Sequence, residues 1–217
     1  MSGDHLALEF GRLPSRWREG PRHGAGATLG ILVVDMQEYF LPPDDEAGKV
    51  VLKNIATVLA AARAEPVPIF LAVVVIDAIS EVNPAWRARH DMKGLLRGQP
   101  GTRLHRSIGP EPGDVVVEKR HASCFLGTSL LDQLKRLEVD TLLLCGATTS
   151  GCVRATAVDG AGLGLRMELI EDCVYEPRPL SGAVALADLQ ERYADVITRS
   201  EALGQIATIG YRGPNAR

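Results

Sequence analysis

The chain contains 217 residues, of which 46% are hydrophobic and 24% are charged, and its formal net charge is −3. This length suits one domain with a sizeable core, and the composition excludes wholesale disorder. The small net charge predicts no nucleic acid partner, and no apolar run reaches the roughly 18 residues that indicate a membrane-spanning helix. Because the first residues show no signal-peptide pattern, we expect a single-domain protein of the cytoplasm that does not bind membranes.

The beginning of the chain differs from the remainder. Residues 1–27 are rich in glycine and arginine and predict an irregular arm, followed by one domain over residues 28–217. The arm nevertheless carries apolar residues such as Leu6, Phe10 and Trp17. Apolar side chains on an irregular segment are most easily buried against a second subunit, so we expect a homo-oligomer.

Apolar, β-branched runs alternate with helix-like segments along this domain. The runs are continuously hydrophobic, which is typical of strands that are buried on both faces of a parallel sheet. The predicted strands are 29–35, 67–76, 114–119, 141–146, 166–173 and 195–198, and the predicted helices are 46–64, 129–137, 152–161, 182–194 and 201–208. This alternation predicts a single-domain α/β fold with an open, mostly parallel sheet of about six strands and helices on both faces.

Residues 77–113 interrupt the alternation with several prolines and glycines. We expect them to form an excursion over the edge of the sheet where ligands bind, with a short helix at 86–92. The excursion contains a basic run beside a tryptophan, and we predict that at least one of the basic side chains binds a substrate carboxylate. The residues of this candidate substrate-binding run are Trp86, Arg87, Arg89, His90, Lys93 and Arg97. A solvated helical face is the alternative interpretation.

Three polar residues with different chemistries stand at or just beyond the ends of predicted strands. Asp35 follows Ile-Leu-Val-Val, Lys119 ends Val-Val-Val-Glu-Lys, and Cys152 follows Leu-Leu-Leu-Cys-Gly after a turn of small residues. Ligands of open α/β sheets bind outside the carboxyl ends of the strands, so we expect the three side chains to share one rim. A carboxylate can take the proton of a thiol while an ammonium group stabilises the charges. His121 is the alternative base.

Cys152 is the candidate nucleophile among the four cysteines. The sequence Gly-Ala-Thr-Thr-Ser-Gly before it predicts a tight turn and a helix that begins near the cysteine. At such a position, free backbone N–H groups lower the pKa of a thiol and can hold an oxyanion. A small residue packed beneath the turn is the alternative interpretation. We expect Cys145 to be a core residue and both Cys124 and Cys173 to be structural.

Three motifs resemble those of the isochorismatase-like cysteine hydrolases. They are Leu-Val-Val-Asp-Met-Gln, Val-Glu-Lys-Arg-His-Ala-Ser-Cys-Phe-Leu-Gly-Thr and Gly-Ala-Thr-Thr-Ser-Gly-Cys-Val-Arg-Ala-Thr. The resemblance implies an Asp–Lys–Cys catalytic triad at Asp35, Lys119 and Cys152. It also implies a cis peptide bond between Ala147 and Thr148, and an oxyanion hole formed by the N–H groups of Thr148 and Cys152.

The resemblance covers about residues 29–200 and implies a hydrolase of non-peptide C–N bonds in linear amides. The cysteine motif is most similar to that of family amidases acting on N-carbamoylsarcosine or maleamate. We therefore expect ammonia release from a small amide, carbamoyl or ureido compound through a covalent thioester. Isochorismatases proper cleave a vinyl ether and generally lack this cysteine, so ether hydrolysis is an alternative. A non-catalytic binding module is another.

The same resemblance bears on cofactors and on assembly. Nicotinamidases of the superfamily carry an Asp-x-His metal site after the second strand, whereas this chain has Asp77-Ala-Ile there. The chain also lacks a CxxC pair and clustered histidines. We therefore expect no metal and no cofactor. Members of the family are often dimers or tetramers, which agrees with the expected homo-oligomer.

Overall fold

The computed structural model describes residues 21–210 of the chain. Their strands are β1 (Leu29–Val34), β2 (Ile69–Val74), β3 (Val115–Lys119), β4 (Thr141–Ala147), β5 (Arg166–Tyr175) and β6 (Asp195–Ile197). They form one parallel sheet in the order β3-β2-β1-β4-β5-β6. The predicted α/β fold with a parallel sheet of six strands is confirmed.

Helices connect the strands and cover both faces of the sheet. In the described part of the chain they are α1 (Glu46–Ala64), α2 (Pro84–Arg87), α3 (Leu130–Arg136), α4 (Arg154–Gly162), α5 (Pro179–Arg192) and α6 (Arg199–Thr208). Alternate residues of β1 separate the two faces: Ile31 packs with α1 and α6, whereas Leu32 packs with α3, α4 and α5. None of these helices is both long and apolar enough to cross a bilayer.

Two helices begin earlier than the sequence predicted. The helix predicted at 182–194 begins at Pro179, because proline is well suited to the first helical position. The helix predicted at 201–208 is preceded by Thr198, whose side chain accepts a hydrogen bond from the Glu201 N–H while the Glu201 side chain accepts from the Thr198 N–H. This reciprocal cap is a recognised start signal, and it places the helix two residues earlier.

The strand order reverses between β1 and β4. The chain runs from β1 outward to β3, crosses back to β4 and then runs outward to β6. Such a reversal opens a crevice at the carboxyl ends of the two central strands. Gly146 lets β4 pack closely against β1 there, because its φ is +116° and a Cβ would lie 2.1 Å from the Val34 carbonyl oxygen. The fold therefore creates its ligand-binding crevice beside Asp35 and the Cys152 turn.

Residues 77–113 form the expected excursion, but its helix is shorter and lies earlier than predicted. The predicted 86–92 helix is replaced by α2, which ends at Arg87. The side chain of Asn83 caps α2 by accepting from the Ala85 N–H, and Pro84 occupies the first turn. A small apolar cluster underlies the excursion, and its buried members are Val74, Ile76, Val82, Met92 and Leu95.

The described end of the predicted arm, residues 21–27, contains no helix or strand. It lies against the start of β6, where the N–H groups of His23 and Gly24 donate to the Asp195 carboxylate at 3.2 Å and 2.7 Å. This end of the arm is therefore attached to its own domain. The apolar residues on which the expected subunit contact rests, such as Trp17, lie outside the described residues.

Candidate active site

A buried ion pair joins the end of β3 to the end of β1. Lys119 reaches past β2, and its Nζ lies 2.7 Å from Oδ2 of Asp35, with both side chains fully shielded from solvent. The same Nζ donates to the carbonyl oxygens of His121 and Ala122, each at 3.0 Å. An ammonium group has three donors, so this one is fully hydrogen-bonded. His121 thus contributes its backbone carbonyl to the site.

The turn after β1 holds Asp35 in place. Asp35 has a φ of +49°, a left-handed conformation that aspartate adopts more readily than most residues, and its N–H donates to the Ala72 carbonyl at 3.0 Å. The buried side chain of Gln37 accepts from the Val74 N–H at 2.7 Å and donates to the Val74 carbonyl at 3.0 Å. These bonds tie the turn to β2 and so fix the carboxyl group opposite Lys119. Gln37 ends the Leu-Val-Val-Asp-Met-Gln motif, but nothing in the sequence indicated this role.

Cys152 lies in the tight turn between β4 and α4. The peptide bond between Ala147 and Thr148 in this turn is cis. The carbonyl of Thr148 accepts hydrogen bonds from the N–H groups of Gly151 at 3.0 Å and Val153 at 3.2 Å, the residues on either side of the cysteine. A Cβ on Gly151 would lie 2.6 Å from Thr148 Oγ1, so a side chain there would force the Thr148 hydroxyl to move. The turn therefore wraps closely around Thr148, and Cys152 is only 7% exposed.

The environment of the Cys152 thiol keeps it protonated. Burial raises the pKa of this thiol, the neighbouring Asp35 carboxyl raises it further, and the Lys119 ammonium lowers it in part. The net direction is upward, which corrects our expectation of a lowered thiol pKa at this position. That expectation considered only the N–H groups at the start of a helix, whereas burial beside a carboxylate has the larger effect.

The Asp35 carboxyl group is arranged to accept a proton. Burial raises its pKa above the usual value of 3.8, although Lys119 opposes the shift. Burial alone would lower the pKa of Lys119, but the adjacent Asp35 raises it overall, so the lysine stays charged. Oδ2 is bound to Lys119, whereas Oδ1 is buried and accepts no hydrogen bond from a nitrogen or hydroxyl group of the described residues. The Cys152 thiol lies within hydrogen-bonding reach of this carboxyl group, so Oδ1 can receive the thiol proton.

A second thiol belongs to the same buried cluster. Cys124 is fully buried, and burial raises its pKa to about 12 although Lys119 opposes the shift. Its N–H donates to Thr156 Oγ1 at 3.1 Å, and that hydroxyl donates to the Cys152 carbonyl at 2.7 Å. Thr156 therefore connects the segment after β3 to the Cys152 turn. The sequence spacing gave no sign that Cys124 would lie this close to Cys152.

The predicted substrate-binding run does not act as one cluster. A cavity of about 420 Å³ includes Arg87, Arg89, His90 and Lys93 in its lining, but its lining includes neither Asp35, Lys119 nor Cys152. Trp86 instead packs onto the apolar cluster beneath the excursion, with its ring 5.9 Å from that of His90.

Arg97, the last member of this run, forms ion pairs with two carboxylates of the protein itself. Its Nε lies 2.5 Å from Asp77, and its NH2 lies 2.7 Å from Glu118. A guanidinium that binds two carboxylates is not available to a substrate carboxylate, so the structure does not support the predicted role of Arg97. The sequence analysis could not detect this, because the two acidic partners lie about 20 residues away on either side.

A larger cavity, of about 1,020 Å³, lies between the turn after β1 and the end of the excursion. Its charged lining residues come from both sides and include Glu38, Asp45, Lys49, Arg103 and Arg106. The two arginines lie within the predicted excursion but outside the basic run that the sequence singled out. Like that of the smaller cavity, this lining includes none of Asp35, Lys119 and Cys152.

No group of three or more His, Cys, Asp or Glu side chains within residues 21–210 is arranged to hold a metal ion. Asp77, which stands where metal-dependent relatives begin their Asp-x-His motif, forms ion pairs with two arginines. It lies 2.5 Å from Arg97 Nε and 2.9 Å from Arg120 NH2. These partners hold the pKa of Asp77 below the usual range, with the hydrogen bond from Arg97 as the main cause.

Comparisons with known sequences identify related amidohydrolases. Maleamate amidohydrolase of Pseudomonas putida is 37% identical over 115 residues, which cover 53% of this chain and 54% of that protein. The chain thus matches about half of the length of this relative. N-carbamoylsarcosine amidase of an Arthrobacter species is 29% identical over 184 residues, which cover 81% of this chain and 70% of the relative.

Solved structures agree with these sequence matches. A cysteine hydrolase from Pseudomonas syringae superposes with a TM-score of 0.78 over 84% of this chain and 94% of that one, and its 22% identity supports the fold alone. N-carbamoylsarcosine amidase from Thermoplasma acidophilum has a TM-score of 0.68 and 25% identity, over 79% of this chain and 96% of that one. The isochorismatase domain family matches residues 30–201, a stretch that includes Asp35, Lys119 and Cys152. The chain therefore belongs to the isochorismatase family.

Proposed function

We propose that this protein is a cysteine-dependent amidohydrolase that releases ammonia from a small linear amide, carbamoyl or ureido compound. The observation that carries the proposal is the position of the Cys152 thiol beside a buried Asp35–Lys119 ion pair. Relatives named maleamate amidohydrolase and N-carbamoylsarcosine amidase support cleavage of a C–N bond.

In the proposed first step, Asp35 Oδ1 takes the proton of Cys152 as the sulfur attacks the substrate carbonyl carbon. The S–C bond forms, and an electron pair of the carbonyl moves onto its oxygen. Because burial raises the pKa of Asp35, this carboxylate is a stronger base than an exposed one. Lys119 stays charged throughout and keeps the site neutral overall before the attack.

We propose that the N–H groups of Thr148 and Cys152 hold the oxyanion. The hydrogen bonds from Gly151 and Val153 to the Thr148 carbonyl support this role, because they fix the backbone on both sides of Cys152. Collapse of the intermediate breaks the C–N bond, and the leaving nitrogen takes the proton from Asp35 and departs as ammonia. Asp35 then deprotonates a water molecule whose oxygen attacks the thioester carbonyl carbon. The S–C bond breaks, the acid product leaves, and the proton on Asp35 returns to the Cys152 sulfur.

Ammonia release from a panel of amides tests the proposal. The panel contains maleamate, N-carbamoylsarcosine, a ureido acid and neutral amides, and the variant is Cys152→Ala. Cys173→Ala is the matched control, because Cys173 is equally buried but lies in β5 outside the Asp35–Lys119 cluster. We expect turnover in the wild type and the control but not in Cys152→Ala. Undiminished ammonia release by Cys152→Ala contradicts the proposal, and cleavage of a vinyl ether without ammonia release favours the ether hydrolase alternative.

The remaining expectations from the sequence are also proposals. We propose that activity needs no metal and no cofactor, since the chain lacks the Asp-x-His motif at Asp77; activity that survives exhaustive chelation supports this. We propose a homo-oligomer, a dimer or a tetramer, on the basis of the apolar residues in the first part of the arm. We also propose that it acts in the cytoplasm, because the first residues show no signal-peptide pattern. A monomer in light scattering at micromolar concentration contradicts that assembly.

A further inference from the structure

A buried carboxylate contacts the Cys152 turn from the side of β5. Glu176 directly follows β5, and its side chain is 4% exposed. Its Oε2 accepts from the N–H of Ser150 at 3.0 Å and from the Ser150 hydroxyl at 2.6 Å. One carboxylate oxygen thus receives both donors of a residue that lies two positions before the candidate nucleophile.

The surroundings of Glu176 fix it against this turn. Its other oxygen, Oε1, accepts from the N–H and the Nε of Arg178, each at 3.4 Å, and the Arg178 side chain is 72% exposed. On the side of α5, Gly182 leaves room for it, because a Cβ there would lie 3.2 Å from the Glu176 Cβ. A buried carboxylate is costly unless its acceptors are used, and here the shortest contacts go to Ser150.

The residue between Ser150 and Cys152 explains why an anchor is needed. Gly151 departs from helical geometry, with a φ of −107° and a ψ of −109°. Glycine has the widest range of backbone conformations, so its own geometry does not set the direction of the cysteine that follows. The neighbours must hold it: Glu176 fixes Ser150 before the glycine, and Thr156 binds the Cys152 carbonyl after it.

We propose that Glu176 is a positioning residue for the nucleophile: through Ser150 it sets the direction of the Cys152 side chain and of the N–H groups around Thr148. The part of this inference that concerns turnover rests on the proposed function. Its part that concerns the thiol does not. Neither Ser150 nor Glu176 stood out in the sequence, because their contact joins two loops that follow different strands.

The test compares Glu176→Gln, Ser150→Ala and the double variant. Glu191→Gln is the matched control, since this glutamate lies at the end of α5 and its side chain is 67% exposed. Three readouts are needed: kcat and KM for ammonia release, the rate of Cys152 alkylation by iodoacetamide, and thermal unfolding.

We expect Glu176→Gln to lower kcat by about 10- to 100-fold with KM within about twofold, because a small misplacement of reacting groups is costly. Ser150→Ala removes one of the two bonds and should lower kcat less. The double variant should be no worse than Glu176→Gln, since both substitutions act through one contact. The alkylation rate of Cys152 should change in parallel, and the control should match the wild type.

Two results overturn the inference: a wild-type kcat and alkylation rate in Glu176→Gln, or losses from the two single variants that simply multiply in the double variant. If Glu176→Gln does not fold, Ser150→Ala decides by itself through its kcat and alkylation rate. Alkylation requires no turnover. If the wild type releases no ammonia from any amide but Glu176→Gln still changes the alkylation rate of Cys152, the positioning role of Glu176 stands and the proposed function is rejected.

Discussion

Two buried carboxylic acids lie at opposite ends of the sheet, and among the described residues only one of them forms an ion pair. Asp35 follows β1 at the carboxyl end and contacts the Lys119 Nζ at 2.7 Å. Glu168 lies near the start of β5, and neither of its oxygens forms a hydrogen bond with a described residue. Both are fully buried, and burial raises the pKa of each. The same desolvation therefore acts on two groups with different electrostatic surroundings.

This difference separates a group built for proton transfer from a structural acid. Lys119 lets Asp35 keep its charge in the interior, and a charged, poorly hydrated carboxylate can act as a base. Glu168 lies beside Gln205, and Oε1 of Gln205 also lacks a hydrogen-bond partner among the described residues. A protonated Glu168 can donate to that oxygen. We therefore interpret Glu168 as an acid whose protonated form links β5 to α6.

The largest expected effect is the loss of the base. Asp35→Asn should lower kcat/KM by about 10²- to 10⁴-fold, because the amide cannot accept the thiol proton. Glu168→Gln should stay within about twofold of the wild type. Ammonia release by variants that retain the wild-type circular dichroism measures both. Equal losses in the two variants would remove the distinction between the two acids.

The pH dependence of the wild type sharpens the same point. Asp35 must be ionised to act as a base, and burial raises its pKa above 3.8. Activity should therefore be lost on acidification at a pH above that value. A kcat/KM that stays constant down to the titration range of an exposed aspartate contradicts the assignment of Asp35 as the base.

Removing the cation should convert Asp35 into an unpaired buried charge. Lys119→Met should lower the free energy of unfolding by about 3–5 kcal/mol, because the carboxylate loses its partner. The Asp35→Asn/Lys119→Met double variant should recover part of this loss, since neither charge remains. Urea unfolding at neutral pH measures both. A double variant that is no more stable than Lys119→Met shows that the ion pair does not account for the effect.

Substrate recognition should distinguish free arginines from paired ones. Arg103→Ala or Arg89→Ala should raise KM for carboxylated amides by about 10-fold or more, the cost of losing a charge-assisted hydrogen bond. Arg97→Ala should change it little, because Arg97 already binds Asp77 and Glu118. Initial rates on carboxylated and neutral amides provide the comparison. A larger effect for Arg97→Ala than for the other two reverses this ranking.

The smallest effect concerns stability at the other end of the sheet. Burial raises the pKa of Glu168 above its usual value of 4.5, so between that value and the raised one the folded state binds more protons than the unfolded state. Stability should therefore fall as pH rises through this window. Glu168→Gln should flatten the fall and stabilise the protein by about 1 kcal/mol at neutral pH. Urea unfolding from pH 4 to 8, with no difference between variant and wild type, contradicts a raised pKa of Glu168.

The three predicted catalytic residues share one property: each stands at or shortly after the end of a buried hydrophobic run. Asp35, Lys119 and Cys152 meet because the carboxyl ends of parallel strands lie at one edge of the sheet. The direction of the thiol pKa was mispredicted, since it depends on burial and on the distance to Asp35. Those quantities arise only when separate segments of the chain pack together.

Supporting contacts were harder to predict for a related reason. Gln37 and Glu176 act through backbone groups of distant segments, and neither belongs to a periodic pattern or stands at the end of a predicted strand. Arg97 was placed in the substrate-binding run because of its charge, but its partners Asp77 and Glu118 decide what that charge does. Charge and position along the chain therefore indicate candidates, and the three-dimensional partners decide among them.

Mass spectrometry tests the covalent role of Cys152 most directly. The enzyme is mixed with an amide that it hydrolyses, the reaction is quenched rapidly with acid, and the intact protein and its peptides are weighed. We predict that the wild type gains the mass of the acyl or carbamoyl group, on the peptide that contains Cys152. Cys173→Ala should gain the same mass, and Cys152→Ala should gain none. An adduct on another residue, or ammonia release by Cys152→Ala at the wild-type rate, would contradict the covalent role of Cys152.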